Sequence, residues 1–412
     1  MLYGCIGEKL GHSFSKEIHN MIGSYVYELK EIDKDDLDAF MRRGDFLGIN
    51  VTIPYKEKVI PHLACIDESA KAIGAVNTVV NRGGKLYGYN TDFYGMAQLI
   101  RHAGISVEGK KVAILGTGGT SKTARAVASH LGAKTVLVVS RTKSEGTVLY
   151  DTLYQRHRDT EILINTTPVG MYPHSDSAPL DISLFKNLSG VIDAVYNPLN
   201  TCLICAAKER GIPAEGGLYM LVAQAVRASE IFLCKQYDSA LLDGIYKKIL
   251  TQKKNVVLIG MPASGKTTVG RLVAEKLGRG FTDTDDLITV TSGEPISRIF
   301  EKYGEKEFRR RECEQIKNAS VSVGNVIATG GGAVLNKINV NNLSQNGHIF
   351  FLDRSPELLI PTDDRPLGST KEAILKRYRE RYDIYCASCH TRIEADGDVE
   401  TVAQRIIEEF YK

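Results

Sequence analysis

Two glycine-rich turns, each placed between an apolar strand-like run and a helical run, constrain this chain most strongly. The first follows the run 112–115 and reads Gly116-Thr117-Gly118-Gly119, and the second follows the run 255–259 and spans Gly260 to Thr267. Such a turn binds phosphate because unpaired backbone amides and the positive end of the helix dipole point at the anion. The sequence of 412 residues therefore predicts two separate nucleotide sites and two to three α/β domains.

The second turn has the complete Gly-x4-Gly-Lys-Thr pattern of a phosphate loop. In this pattern backbone amides hold the phosphates, the lysine reaches the terminal phosphates, and the threonine hydroxyl binds Mg²⁺. We predict a site for ATP or GTP with Mg²⁺. Its nucleotide-binding residues are Gly260, Ala263, Ser264, Gly265, Lys266, Thr267 and Thr268.

The first turn is less specific, because Ser121 occupies the position of the third glycine in the usual dinucleotide pattern. The end of the next strand, where such folds meet the adenosine ribose, carries Arg141 rather than an acidic residue. An arginine suits a 2′-phosphate, so NADP is favoured over NAD. The predicted cofactor contacts here are Gly116, Thr117, Gly118, Gly119, Thr120, Ser140, Arg141 and Thr142.

The composition excludes several classes of protein. Hydrophobic residues at 43% and charged residues at 25% are typical of a globular chain, and a net charge of +3 gives no electrostatic case for nucleic acid. The first residues lack an apolar signal segment, and polar side chains interrupt the apolar stretch 219–234, which predicts a buried amphipathic helix. We expect a cytoplasmic protein that acts on small molecules, without nucleic-acid or membrane partners.

Eight cysteines are too few for a disulfide scaffold in a chain of this length. The pairs Cys202/Cys205 and Cys386/Cys389 have zinc-binding spacing, and the second pair, with His390, also fits a haem-attachment pattern. The pairs lie far apart in the sequence, and the first falls within a helical run. We interpret them as reduced packing cysteines and keep a metal or haem protein as the alternative.

A series of motifs in the first half carries a family resemblance. In chain order the motifs are Gly11-His12-Ser13-Phe14-Ser15, Asn50 to Lys56, Gly74 to Thr78, Gly88 to Asp92, Asn165 to Met171, Tyr196-Asn197-Pro198, and Gly216 to Leu221 with Gln224. In this order they resemble the shikimate dehydrogenase family over residues 1–250. The resemblance implies NADPH-dependent reduction of 3-dehydroshikimate to shikimate.

The resemblance implies that Lys56 and Asp92 form the catalytic pair. Hydride transfer to a ketone builds negative charge on oxygen, which an ammonium held by a carboxylate can stabilise and protonate. It also implies that Ser13 and Ser15 bind the substrate carboxylate. The other implied contacts are Thr52, Asn77, Asp92 and Gln224 to the substrate hydroxyls, Asn50 and Tyr196 as auxiliaries, and Gly217 to the cofactor.

Two departures from the family pattern are visible in the first half. Lys16 stands where the family usually has proline. Only 22 residues separate Thr142 from Asn165, and this short interval predicts that the cofactor lobe lacks the helix and strand usual there.

Motifs in the second half resemble shikimate kinase. They are Asp283-Thr284-Asp285, Gly304 to Glu312, Ala328 to Gly332, Asp364 to Leu367, and Arg381 with Tyr385. The implied reaction is the phosphorylation of shikimate by ATP with Mg²⁺. The segment from Asp353 to Asp364 is shorter than its family equivalent and lacks the arginine that the family often has just before the lid.

The resemblance gives these residues specific roles. Lys266, Asp285 and Arg365 are implied to be catalytic, with Asp285 orienting or deprotonating the acceptor hydroxyl and Arg365 closing on the transferred phosphoryl group. Thr267 and Asp283 are implied to hold Mg²⁺. The implied shikimate contacts are Asp285, Arg309 and Arg381, together with Gly330, Gly331 and Gly332, which allow close backbone approach.

The basic run Arg309-Arg310-Arg311 has two other interpretations, as a solvated basic face or as a nucleic-acid patch. Glu305, Glu307, Glu312 and Glu314 surround the run and are predicted to neutralise it.

The combined prediction is a bifunctional α/β protein. Residues 1–252 form an α/β substrate lobe, about 1–104 and 219–250, and a Rossmann-like NADP lobe, about 105–218. Residues 253–412 form a P-loop kinase domain with a parallel sheet. A short polar connector is predicted at 251–255, and the boundary near 252 lies within it. The alternative is an active kinase beside a non-catalytic or weakened dehydrogenase-like module.

Overall fold

The computed structural model describes residues 1–10, 14–359 and 371–412. The chain divides into two compact units, Met1–Lys248 and Ile249–Lys412. The first unit contains two six-stranded sheets, and the second unit contains one five-stranded sheet.

The first sheet belongs to the substrate lobe. Its strands and surrounding helices are β1 Tyr3–Gly7, α1 Phe14–Ile22, β2 Tyr27–Glu31, α2 Leu37–Arg43, β3 Gly48–Val51, β4 Cys65–Ile66, α3 Glu68–Ile73, β5 Thr78–Arg82, β6 Lys85–Tyr89 and α4 Thr91–His102. The strand order is β2-β1-β3-β5-β6-β4. Strands β1, β2 and β3 are parallel, whereas β5 is antiparallel to β3 and to β6. Gly83 and Gly84 both have positive φ, which the two-residue β5–β6 hairpin turn requires.

The second sheet belongs to the cofactor lobe and is wholly parallel. Its elements are β7 Lys111–Leu115, α5 Gly119–His130, β8 Thr135–Ser140, β9 Thr147–Leu149, α6 Tyr150–Arg156, β10 Ile162–Asn165, β11 Gly190–Asp193, α7 Cys202–Glu209 and β12 Ala214–Glu215. The order is β12-β11-β10-β7-β8-β9. Strands β10 and β11 are buried along their whole length, as expected for a parallel sheet covered on both faces. Helices α8 Leu218–Leu233 and α9 Ser239–Lys253 follow.

The prediction that the interval 142–165 lacks a helix and a strand is wrong. Strand β9 pairs in parallel with β8, and α6 follows it at once with Leu153 fully buried. A three-residue strand and a seven-residue helix fit within this short interval. The cofactor lobe therefore keeps the edge strand that follows the predicted ribose-binding position.

The kinase-like unit is also built on a parallel sheet. Its elements are β13 Asn255–Ile259, α10 Lys266–Leu277, β14 Phe281–Asp283, α11 Thr284–Ser292, α12 Ile296–Val321, β15 Val326–Ala328, α13 Lys337–Asn346, β16 Gly347–Asp353, α14 Lys371–Ser388, β17 Thr391–Glu394 and α15 Val399–Tyr411. The order is β14-β15-β13-β16-β17, with β13 in the centre. Helix α12 is broken at Gly304, which has φ 79°. The predicted α/β fold class is confirmed for both units.

The prediction of a polar connector at 251–255 is wrong. Thr251 to Lys253 form the last turn of α9, and Asn255 already begins β13, so only Lys254 lies between the two elements. Polar residues with good helix propensity suit an exposed helix end as well as a loop, and composition alone does not separate the two.

Candidate active sites

Lys56 and Asp92 form a close ion pair in the substrate lobe. Lys56 Nζ lies 2.6 Å from Asp92 Oδ2. Lys56 follows β3, and its carbonyl accepts a hydrogen bond from Val76 N at 2.8 Å. Asp92 lies in the first turn of α4, where the Asn90 side chain caps the helix by accepting from Asp92 N at 3.0 Å. These hydrogen bonds hold the backbone at Lys56 and Asp92, from which the two side chains reach each other.

A pocket surrounds this pair and gathers most of the predicted substrate contacts. Its lining includes Ser15, Asn50, Thr52, Lys56, Asn77, Asp92 and Gln224. Tyr196 is not among the lining residues, and its ring instead meets Phe14 edge-on at 5.5 Å. Ser13 lies outside the described residues. The structure thus brings together residues from α1, β3, α4 and α8 that are far apart in the sequence.

A hydrogen-bond network orients the two asparagine amides of the pocket. Asn77 Oδ1 accepts from Thr91 N at 2.8 Å, and Asn77 Nδ2 donates to Thr91 Oγ1 at 3.2 Å. Asn50 Oδ1 accepts from the Tyr27 hydroxyl at 2.7 Å, and Asn50 Nδ2 donates to Thr78 Oγ1 at 3.0 Å. Each amide therefore has a defined orientation.

His19 and Cys5 also line the pocket, and the sequence analysis missed both. The His19 ring stacks on Tyr27 at 3.8 Å, and its Nδ1 lies 2.6 Å from the Tyr25 hydroxyl. Burial lowers the pKa of His19 to about 3, with a hydrogen bond to Asn50 opposing the shift, so the ring is neutral near pH 7. Burial likewise raises the pKa of the Cys5 thiol to about 11. The position of His19 on α1, one turn after Ser15, was the available signal in the sequence.

The first glycine turn forms an open cradle at the start of α5. Gly116 has φ 107°, and a β-carbon there would lie 3.0 Å from Thr166 Oγ1, so the position requires glycine. Among the described atoms, none lies within 4 Å of a β-carbon built on Gly118 or Gly119. Gly118 is the N-cap of α5, and Thr120 lies in its first turn beside Gly119. The amides around Thr117 therefore border open space that can take a phosphate.

Ser140, Arg141 and Thr142 lie at the carboxyl end of β8, beside this turn in the parallel sheet. Ser140 is buried and its hydroxyl accepts from Thr142 N at 3.2 Å, whereas Arg141 is exposed. Gly217 is the N-cap of α8, and a β-carbon there would lie 2.2 Å from the carbonyl oxygen of Ala194. An exposed guanidinium in this place fits the 2′-phosphate of NADP.

Asp193 is a buried carboxyl group that the sequence analysis missed. It accepts from Asn165 Nδ2 at 2.9 Å, from Val195 N at 3.0 Å and from Thr201 Oγ1 at 2.7 Å. Burial raises the pKa of Asp193 to about 6, and these hydrogen bonds oppose the shift. The network ties the ends of β10 and β11 together next to the cofactor cradle.

The second glycine turn has the backbone of a phosphate loop. Gly265 has φ 89° and Ala263 has φ 64°, a conformation uncommon for a residue with a side chain. Lys266 is buried, and its Nζ donates to Gly260 O at 3.0 Å and to Met261 O at 2.8 Å. Ser264 is buried within the loop, and Thr268 follows in α10. The loop backbone therefore holds the ammonium in place.

The two predicted metal-binding residues contact each other. Thr267 Oγ1 donates to Asp283 Oδ2 at 2.7 Å, while Asp283 Oδ1 accepts from Asp285 N at 3.0 Å and caps α11. A hydroxyl and a carboxylate are the oxygen donors that Mg²⁺ prefers. This donor set fits the ion that a phosphate-loop nucleotide requires.

The glycine loop after β15 is the centre of the second candidate site. A β-carbon on Gly330 would lie 2.5 Å from Asp285 Oδ1, and one on Gly332 would lie 2.1 Å from Arg309 Nη1. The carbonyl oxygen of Gly331 accepts from Arg381 Nη1 at 3.2 Å and from the Tyr385 hydroxyl at 2.5 Å. The loop thus brings the predicted shikimate contacts together, whereas Arg365 lies outside the described residues.

Glu312 is a buried carboxyl group at this second site. Its side chain is 1% exposed, and its Oε2 accepts from Arg309 Nη1 at 2.7 Å. Burial raises the pKa of Glu312, and the charge of Arg309 opposes the shift. Glu312 was predicted only as a neutralising neighbour, but in the structure it holds the Arg309 guanidinium together with Glu305, which lies 3.2 Å from Arg309 Nη2.

The remaining charges on α12 form surface ion pairs. Arg310 lies 2.9 Å from Glu307 and 3.1 Å from Glu314, and Arg311 lies 2.9 Å from Glu307. Hydrogen bonds from both arginines lower the pKa of Glu307 to about 2. The predicted neutralisation of the basic run is confirmed.

The cysteine pairs show no metal-site geometry in residues 1–10, 14–359 and 371–412. Within these ranges no three His, Cys, Asp or Glu side chains are grouped as metal ligands, and both Cys-x-x-Cys pairs are free thiols. No helix in the same ranges is both long enough and apolar enough to cross a bilayer.

Folds and sites together define a chain that joins a dinucleotide-binding domain of the oxidoreductase type to a P-loop domain of the kinase type. The family model "Shikimate dehydrogenase substrate binding domain" matches residues 5–79, and the model "Shikimate kinase" matches residues 262–411. A shikimate dehydrogenase (NADP(+)) of Clostridium perfringens strain SM101 is 39% identical over 266 residues, covering 60% of this chain and 98% of the relative.

Solved structures give the same result for the first unit. Shikimate dehydrogenase 1 from Peptoclostridium difficile is 38% identical with a TM-score of 0.54, over 60% of this chain and 97% of that chain. A chorismate mutase/shikimate 5-dehydrogenase fusion from Clostridium acetobutylicum is 34% identical with a TM-score of 0.56, over 60% and 96%. Shikimate 5-dehydrogenase from Thermus thermophilus, solved with NADP(H) and shikimate, is 27% identical with a TM-score of 0.54, over 60% and 99%.

The chain belongs to the shikimate dehydrogenase family through its first unit, and it carries a shikimate kinase family domain in its second unit. Both predicted enzyme classes are supported, one NADP-dependent and one ATP-dependent with Mg²⁺. The alternative of an active kinase beside a non-catalytic module is not favoured.

Proposed function

We propose that the chain reduces 3-dehydroshikimate to shikimate with NADPH at the Lys56–Asp92 pair and phosphorylates shikimate with ATP and Mg²⁺ at the phosphate loop. The observation that carries this proposal is the 2.6 Å contact of Lys56 with Asp92 inside a pocket lined by polar side chains. The product of the first reaction is then the acceptor of the second.

In the reductive step, bound NADPH supplies the hydride that attacks the ketone carbon. The ketone oxygen gains negative charge, and the Lys56 ammonium stabilises it and donates the proton. Asp92 holds the ammonium in place, and Lys56 regains its proton from solvent after the step. This pairing supports the proposal because it provides a positioned proton donor whose charge matches the developing oxyanion.

The rest of the pocket suits a polyhydroxylated substrate. Thr52, Asn77 and Gln224 offer hydroxyl and amide groups, while the Ser15 hydroxyl lies at the start of α1. Amides with fixed orientation bind a sugar-like ring selectively, because a ligand without the matching hydroxyl leaves buried polar groups unpaired.

In the kinase step, bound ATP supplies the phosphoryl group, and Mg²⁺ compensates part of the negative charge on the phosphates. Asp285 accepts the proton of the attacking hydroxyl, and Lys266 binds the terminal phosphates. Arg309 and Arg381 hold the shikimate carboxylate, for which planar bidentate donors are suited. Support comes from the convergence of Asp285, Arg309 and Arg381 on one glycine loop.

We also propose a functional division near residue 252, with a dehydrogenase over 1–252 and a kinase over 253–412. In the first part, residues of about 1–104 and 219–250 bind substrate and residues of about 105–218 bind NADP. Arg365, outside the described residues, completes the proposed kinase site.

Two assays on one purified preparation test this proposal. Shikimate-dependent reduction of NADP⁺, followed by absorbance, measures the first activity, and shikimate-dependent formation of ADP measures the second. The proposal expects both activities from the same chain. Kinase turnover without any NADP⁺ reduction, in a chain whose first unit is folded by circular dichroism and thermal melting, would contradict the dehydrogenase assignment.

A further inference from the structure

Arg354 lies at the carboxyl end of β16, next to the phosphate loop. Strands β13 and β16 are parallel neighbours, with Ile259 opposite Phe351. The phosphate loop leaves β13 at this edge of the sheet, and a β-carbon on Gly260 would lie 2.8 Å from Leu352 O. Arg354 follows Leu352 by two residues, so its backbone lies beside the phosphate loop.

The Arg354 side chain extends toward the last glycine of that loop. Its Nη1 lies 3.8 Å from the position that a β-carbon on Gly265 would occupy. Its Nε is buried and has no hydrogen-bond partner. The nearby Asp396 carboxylate accepts hydrogen bonds from Ser355 N at 2.7 Å and from Ser355 Oγ, so Ser355 engages both of its oxygens.

Other arginines near this sheet are satisfied within the protein. Arg392 lies 2.8 Å from Asp353, and Arg279 donates to the carbonyl oxygens of Thr251 and Lys254. In the described parts of the second unit, Arg354 is the arginine whose buried Nε lacks an acceptor. A buried donor without a partner costs free energy, so its presence beside a phosphate loop calls for an anionic acceptor.

We propose that Arg354 binds the nucleotide by donating to an oxygen of its phosphate chain. This inference rests on the proposed ATP-binding function of the loop and adds a residue to it. Lys266 acts as a point charge held by loop carbonyls, whereas Arg354 offers a planar fork of donors from the neighbouring strand. The two cations then bind the phosphates from different elements of the sheet.

The substitution Arg354→Met tests this role, because methionine keeps the apolar stem but removes every donor. We expect the Kd for ADP with Mg²⁺, measured by calorimetry, to rise at least roughly tenfold. The KM for shikimate should change less than the KM for ATP. Without nucleotide, the melting temperature should stay equal or rise, because an unsatisfied buried donor has been removed. Arg354→Lys should restore part of the affinity.

Arg405→Gln is the matched control, since Arg405 is exposed on α15, and it should leave the ADP affinity unchanged. Unchanged ADP affinity in Arg354→Met would overturn the inference. A fall in nucleotide-free stability together with the affinity loss would instead assign Arg354 a structural role, and it would also overturn the inference. If the unmodified chain fails to bind ADP with Mg²⁺, the proposed function of the loop itself fails, and the two failures are thus distinguished.

Discussion

The two units hold the lysines proposed to act in their reactions in different ways. Lys56 is 30% exposed and lies 2.6 Å from a carboxylate, whereas Lys266 is buried and donates to two backbone carbonyls of its own loop. A lysine held by a carboxylate depends on one side chain for its position. A lysine held by carbonyls depends on the loop backbone, and it can move to a phosphate by exchanging neutral carbonyl acceptors for anionic phosphate oxygens.

Lys56→Ala is the strongest test of this comparison. We expect the kcat/KM for reduction of 3-dehydroshikimate to fall by about 10³-fold or more, because the proton donor and the charge at the oxyanion are both lost. Kinase activity of the same preparation should be unchanged. The neighbouring exposed Lys58→Ala is the matched control. Loss of both activities in a folded Lys56→Ala chain would refute the independence of the two sites.

Lys266→Ala makes the reciprocal change. The kcat for shikimate phosphorylation should fall by roughly 10³-fold, because the charge on the terminal phosphates is lost. Reduction of 3-dehydroshikimate should continue at the original rate. Lys276→Ala on the same helix removes only a surface pair with Glu400 and should affect neither reaction. Full kinase activity in the Lys266→Ala chain would contradict the proposed role of Lys266 in phosphoryl transfer.

Asp92→Asn should have a smaller effect than Lys56→Ala. Asparagine can still accept a hydrogen bond from Lys56 but carries no charge, so we expect about a 10²-fold loss in kcat for reduction. Steady-state rates with saturating NADPH measure the loss. Asp35→Asn, on the exposed surface of the same lobe, is the control. A loss in activity larger than that of Lys56→Ala would show that Asp92 contributes more to reduction than Lys56, which contradicts the proposed roles.

A pH experiment extends the comparison to stability. Burial first, and then the charges of Lys254 and His390, lower the pKa of His348 to about 3, and its Nε2 lies 2.8 Å from Thr391 Oγ1. Between about pH 6.5 and pH 3 the unfolded chain binds this proton and the folded chain does not, so stability falls as the pH falls. His348→Gln should remove up to about 2 kcal/mol of the stability difference between pH 7 and pH 5.

Thermal melts of the full chain at pH 7 and pH 5, followed through the transition of the second unit, measure this difference. His174→Gln, which removes an exposed histidine, should leave the difference unchanged. An identical pH dependence in His348→Gln and in the unmodified chain would show that His348 does not cause it.

The sequence predicted elements well where apolar runs were continuous and glycines marked their ends. Strand β13 covers the predicted apolar run 255–259, and α8 lies within one residue of the predicted 219–234. Strand β9 and helix α6 were missed because three and seven residues carry too little periodicity to be recognised.

Side chains whose burial depends on tertiary contacts could not be recognised from the sequence. Glu312 and Asp193 are buried by elements distant in the chain, and nothing in a local pattern separates a buried carboxyl group from an exposed one. The unpaired Nε of Arg354 likewise depends on how β16 lies beside the phosphate loop. Motif order therefore predicted both sites, while burial shows which further residues lie beside the predicted ones.

In the proposed function, two differently held lysines act in sequence on one metabolite, shikimate. The most direct test of this proposal supplies 3-dehydroshikimate, NADPH, ATP and Mg²⁺ to the purified chain and follows products by mass spectrometry. We expect shikimate 3-phosphate from the unmodified chain, unreacted 3-dehydroshikimate from Lys56→Ala, and accumulated shikimate from Lys266→Ala. Shikimate 3-phosphate formed by either variant at the original rate would contradict the proposed function.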